Sequence, residues 1–211
     1  MSRMKEDTPE NALKRVSVLC ISAIFIIGIC GLIGRLIGLT DFLHENFRIV
    51  CISPFASLSY ILIGIALFLF SRKEESPQFA WLATGITFFI MAISLAICIA
   101  FVTNQDYDFQ RALLGWAIDE EDLQESSIAP LGAFGIFLGG IAMQLQSMSE
   151  LEKSRYAPYV IGILGFAVFS IGSISLLGYA YGTAELYGGS NQPVSIASAF
   201  GQLFFGIAII A

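Results

Sequence analysis

Charge is scarce in this chain. Only 13% of its 211 residues are Asp, Glu, Lys or Arg, about half the share of an ordinary soluble domain. That shortage excludes a disordered chain and argues against a soluble enzyme. Basic residues are fewer than acidic ones, 11 against 17. Nucleic-acid binding needs a basic stripe, so none is expected. Histidine occurs once, as His44, and the four cysteines (Cys20, Cys30, Cys51, Cys98) form no C-x2-C pair. Zinc, haem and iron–sulfur sites therefore lack their usual ligands, and no metal or cofactor is implied. Ser/His/Asp sets, intramembrane acid pairs, kinase motifs, glycine-rich nucleotide loops and a GGDEF stretch are all missing from the sequence. No catalytic residue is assigned.

What is present is apolar. Hydrophobic residues make up 56%, mean hydropathy is +0.76, and the chain holds 20 glycines and 18 phenylalanines. A membrane-spanning helix needs about 20 apolar residues. Six charge-poor stretches meet that length, at roughly 16–38, 54–71, 79–103, 130–148, 157–180 and 193–211, with Arg35 the one charge inside them. They are continuously apolar, not alternating with period 2, so a β-barrel is excluded. The first stretch is too long for a signal-peptide core and lacks an Ala-x-Ala-like cleavage site. The expected fold is all-α: a six-helix membrane bundle over 16–211, preceded by a cytoplasmic segment over 1–15.

Basic residues set the orientation. Arg3, Lys5, Lys14, Arg15, Arg72, Lys73, Lys153 and Arg155 fall on one side, against Arg48 and Arg111 on the other. The positive-inside rule then places both chain ends in the cytoplasm of an inner-membrane protein. Most acid falls outside, in the 104–129 loop, where Asp119–Asp122 with Glu125 lacks EF-hand spacing and reads as a solvated loop. Within that loop, Phe109–Trp116 is expected to form a short interfacial helix with Phe109, Leu113 and Trp116 on one face.

The even-numbered spans repeat. Pro54 precedes Gly64-Ile65-Ala66, Pro130 precedes Gly140-Ile141-Ala142, and Pro193 precedes Gly206-Ile207-Ala208. The proline leads the glycine by 10, 10 and 13 residues, and the glycines recur after 76 and 66 residues. Proline belongs in a helix's first turn, so all three are expected to mark helix starts. Gly64, Ala66, Gly140, Ala142, Gly206 and Ala208 are read as packing residues that let backbones approach. Ser57, Ala133 and Ala199, seven residues earlier, share their stripe. The odd spans echo one another too: Gly38 precedes Asp41, and Gly182 precedes Glu185, by three residues. The unit is an outgoing helix, an outer loop and a returning helix, giving three repeated helical hairpins.

The stretch Leu176-Leu-Gly-Tyr-Ala-Tyr-Gly-Thr-Ala-Glu-Leu-Tyr187-Gly-Gly-Ser-Asn-Gln-Pro193, followed by Gly206-Ile-Ala208, resembles the MASE-like membrane input region of bacterial and archaeal sensor histidine kinases and diguanylate cyclases. Ile52-Ser-Pro54 followed by Gly64-Ile-Ala66 matches that family's Ser-Pro-led helix. The resemblance spans roughly 12–211. It departs where relatives carry His-Thr and this chain has Ala197-Ser198. It implies a sensory module, a homodimer, and a cytoplasmic output domain of PAS, kinase or cyclase type following the last helix. The chain ends in an apolar run at Ala211, so a fragment cut ahead of that domain is expected.

Several polar residues invite a site. Arg35 can snorkel, pair with Asp41 or Glu185, or touch a ligand. Tyr179, Tyr181, Glu185 and Tyr187, with Asn191 and Gln192 nearby, form either an interfacial aromatic belt or an outward pocket for a small ligand. Gln144, Gln146 and Gln202 are expected to hydrogen-bond between helices. A sensory input module leads; a small transporter or channel, common among repeat-built membrane proteins, is the alternative.

Overall fold

The computed structural model describes residues 9–39, 51–73, 76–104, 129–148, 155–188 and 193–211. Among them are six α-helices, one 3-10 turn and no strand. The helices are α1 (Pro9–Leu36), α2 (Pro54–Ser71), α3 (Pro77–Val102), α4 (Pro130–Ser147), α5 (Ala157–Tyr181) and α6 (Ile196–Ile210). The 3-10 turn, Ala184–Tyr187, lies between α5 and α6.

Helix starts follow local chemistry. Ser53 Oγ accepts from the Ala56 amide ahead of α2, and Ser76 Oγ accepts from Gln78 ahead of α3. A serine cap satisfies an amide that has no helical partner. Prolines occupy the first turn of α2, α3, α4 and α5, as their missing N–H allows. Pro193 departs from the expectation. It lies ahead of α6, whose cap is Ser195, with Ser195 Oγ accepting from the Ser198 amide. Measured from the caps Ser53, Ala129 and Ser195, each motif glycine comes eleven residues later. The constant element is the cap, not the proline. At the other terminus, α1 begins at Pro9, so its helix runs back into the expected 1–15 segment.

Helix ends share a device. Gly38, Asn104 and Gly182, just past α1, α3 and α5, have φ of 69°, 55° and 67°. This left-handed backbone stops a helix at no steric cost to glycine and little to asparagine. The Gly38, Asn104 and Gly182 amides donate to the carbonyls of Arg35, Phe101 and Tyr179.

The helices close a ring. Each packs on the next in the chain, and α6 packs on α1. Within the ring α4 also meets α6 and α2. The even helices lie inside: half of α2 is buried, against 22%, 28% and 22% of the most apolar windows of α1, α3 and α5. Tyr60, Ile136, Gln202 and Phe205 are almost wholly buried. The outer helices present Leu19, Trp81, Phe88, Phe89, Ile163 and Phe166 to the surroundings. Apolar exposure on that scale belongs to a surface that meets something other than water.

Four helices are long and apolar enough to cross a bilayer by length and composition: α1 from Asn11, α2, α3 and α5. The fourth and sixth expected spans are helical but fall outside this criterion. Gln144, Gln146 and four glycines dilute α4. Helix α6 has 15 residues, about 22 Å at 1.5 Å per residue.

Candidate functional site

The motif glycines each face the helix that precedes them. A Cβ at Gly64 would lie 3.2 Å from Phe25 Cβ of α1. One at Gly140 would lie 3.1 Å from Met91 Cβ of α3. One at Gly206 would lie 2.5 Å from the Phe169 amide nitrogen and 2.6 Å from the Gly165 carbonyl oxygen of α5. Ser57, Ala133 and Ala199 are buried on the same stripe; Ala66, Ala142 and Ala208, two residues past the motif glycines, are buried on another face.

The inner helices are joined by polar bonds. Tyr60 Oη donates to the Ser198 carbonyl at 2.8 Å, tying α2 to α6. Gln202 Nε2 donates to the Gly132 carbonyl at 3.0 Å, tying α6 to α4. Gln146 Nε2 donates to the Ile209 carbonyl at 3.2 Å, a second α4–α6 tie. Gln144 Nε2 donates to the Thr84 carbonyl at 2.9 Å, tying α4 to α3. All three glutamines thus bond between helices, as the sequence leads one to expect. Gly135 makes room for the Gln202 amide: a Cβ there would lie 2.9 Å from its Nε2.

Two cavities lie at opposite ends of these helices. The smaller is about 20 Å³ and is lined by Ser53, Ala56, Tyr60, Gly132, Ile136 and Ser198, among others. It has the volume of one water molecule. Ser198 is in its wall. The larger, about 290 Å³, lies at the end bearing Lys73 and the start of α5.

The aromatic group at the end of α5 divides. Tyr179 and Tyr187 stack, with ring centroids 4.2 Å apart and planes 7° from parallel. Tyr179 Oη donates to the Val194 carbonyl at 2.7 Å. Gly178 lets the turn fold back, since a Cβ there would lie 2.8 Å from Leu186 Cβ and Tyr187 Cδ1. These two tyrosines fasten the α5–α6 connection. Tyr181 and Glu185 are exposed. Arg35, in the last turn of α1, is half-buried. Asn191, Gln192, Asp41, the acidic loop and the Phe109–Trp116 face lie outside the described residues.

Motif reading finds Gln202 but passes over the buried layer it forms with Tyr60 and Ile136. Each lies four residues before a motif glycine. That shared offset was the available signal. Among the described residues the cysteines form no disulfide and no group of three metal-ligating side chains forms. Comparison of the chain with family models, with curated proteins and with solved structures yields no match.

Proposed function

We propose that this chain is a six-span membrane input module, built from three repeated hairpins, that passes a stimulus through α6 to a cytoplasmic output domain. The repeat reading rests on matching positions. Phe25, Met91 and Phe169 face the three motif glycines. Thirteen residues after each comes a left-handed terminator: Gly38, Asn104 or Gly182. The caps precede the glycines by equal intervals. The polar layer follows the same rule: Tyr60 and Gln202 each bond a carbonyl on the next inner helix, from Ser198 and from Gly132, residues four places before Gln202 and Ile136. The third link, from the Ile136 position, has no donor.

The ring of helices supports the six-span reading. Helix α4 is as long as α2 and sits between α3 and α5. Helix α6 packs on α1, α4 and α5, so its short length is shielded from lipid. The bias of basic residues puts Lys73, Arg155 and the α6 C-terminus in the cytosol.

The observation that carries the signalling reading is how α6 is held. Three directional polar bonds, from Tyr60, Gln202 and Gln146, fix its register against α2 and α4. Such bonds favour discrete arrangements, and a ligand shifts their populations only by its differential affinity for them. The test fuses a histidine-kinase catalytic region after Ala211 and measures phosphate incorporation in liposomes. Gly140→Leu, which presses on the Met91 side chain, and Gln146→Leu, which cuts one α6 tie, should each change output several-fold. Unchanged output from folded variants would refute the reading. The channel-like alternative draws on the two cavities, both lined by α2, α4 and α6. Solute flux through the chain alone would select it.

A further inference from the structure

The smaller cavity lies where the three inner helices begin. Their caps Ser53, Ala129 and Ser195 line it, and so do Ala56, Gly132 and Ser198, each three residues further on. Tyr60 and Ile136 of the buried layer lie in the same wall. Each helix N-terminus carries about half a positive charge, with first-turn amides that have no helical partner. Three such ends meet at this one cavity, and no acidic or basic side chain is among the described residues that line it. Two further observations point to an occupant. Ser198 is only 7% exposed; its amide donates to Ser195 Oγ, its carbonyl accepts from Tyr60 Oη, and its hydroxyl has no partner among the described residues. Helix α4 also lacks the cap its counterparts have. Ser53 Oγ and Ser195 Oγ accept from the Ala56 and Ser198 amides, whereas Ala129 offers no side-chain oxygen to the matching Gly132 amide.

We propose that this cavity binds a single halide ion, chloride. The Ser198 hydroxyl and the first-turn amides of α4 donate to it, so the ion stands in for the serine oxygen that α4 lacks. The choice follows from polarity and size. Three positive helix ends and an unused hydroxyl favour a charged acceptor over water, which must also donate. A space of about 20 Å³ takes one atom-sized ligand and excludes sulfate, phosphate and carboxylates. The serines of the wall are buried, and bonds to an ion strengthen where water is kept out. The inference rests on the fold and not on the signalling role, and binding is read on the chain itself.

The experiment measures retention of radiolabelled chloride by the full chain in zwitterionic nanodiscs, in gluconate buffer at fixed ionic strength, against empty nanodiscs. Saturable binding is expected, displaced by bromide and not by sulfate. Ser198→Ala, which keeps both backbone bonds of that residue, should weaken binding roughly tenfold or more, the worth of one hydrogen bond to a charged group. Ala129→Ser places a hydroxyl at the Gly132 amide; it should abolish chloride binding and raise the melting temperature in chloride-free buffer. Ser175→Ala removes a buried, unpartnered hydroxyl of α5 outside the cavity and should leave binding unchanged. Binding no greater than that of empty discs overturns the proposal and leaves the cavity to water. Equal binding by the parent and either Ser198→Ala or Ala129→Ser overturns it too, as does displacement by sulfate as strong as that by bromide.

Discussion

The α5–α6 and α3–α4 pairs place glycine at matching positions and use it differently. Between α5 and α6 two backbones touch. A Cβ on Gly206 would meet the main chain at Phe169 and Gly165, and one on Gly172 would lie 2.6 Å from the Ala199 carbonyl oxygen and the Leu203 amide nitrogen. Between α3 and α4 the facing atom is the Met91 side chain, and the residue matching Gly172 is Ser94. There the added tie is a hydrogen bond, Gln144 to the Thr84 carbonyl. A shared motif therefore does not imply a shared constraint. The neighbour decides whether glycine is required, because a side chain can yield where a backbone cannot.

The sharpest way to break that comparison is Gly206→Ala. Its new methyl can be housed only by separating α5 from α6, at a cost of about 3 kcal/mol, the upper end for overpacking. Detergent unfolding of the purified chain, followed by helical circular dichroism, measures it. A loss below about 1 kcal/mol would show that the two backbones are not in contact. The next effect belongs to the inner helices. Tyr60→Phe removes the bond to the Ser198 carbonyl and keeps the ring. Interhelical hydrogen bonds in membrane proteins contribute about 1 kcal/mol, so the same assay should register a loss of about that size.

The sequence discloses the helices better than their company. Charge gaps locate α2 at its observed ends and the other helices within a few residues, apart from the start of α1. There Ala12, Leu13 and Lys14, all strong helix formers, extend the helix back to Pro9. Gly38 and Gly182 stand out as a pair because glycine is visible, whereas Asn104 does the same work under another name. Pro193 misleads, since proline is tolerated both in a first helical turn and in the extended chain before it. The stacking of Tyr179 on Tyr187 depends on a turn that no periodicity reveals. The larger cavity draws on five helices, and nothing local to any one of them announces it.

Smaller effects at two positions sharpen the contrast from the α3–α4 side. Gly140→Ala needs Met91 to give by a few tenths of an ångström, and an unbranched thioether does so readily. Its cost should stay below about 1 kcal/mol, well short of Gly206→Ala in the same assay.

Ser94 gives the smallest effect. Its Oγ is buried with no hydrogen-bond partner in the structure. A desolvated hydroxyl of that kind destabilises, so Ser94→Ala should gain about 0.5 kcal/mol. Ser94→Gly removes the same hydroxyl and restores the residue found at Gly28 and Gly172, yet glycine inside a helix costs about 1 kcal/mol relative to alanine. If α3 and α4 remain at their present separation, glycine must be the less stable of the two variants. If glycine is instead the more stable, the helices have closed up as α5 and α6 do, and the spacing of the α3–α4 pair is set by this one serine.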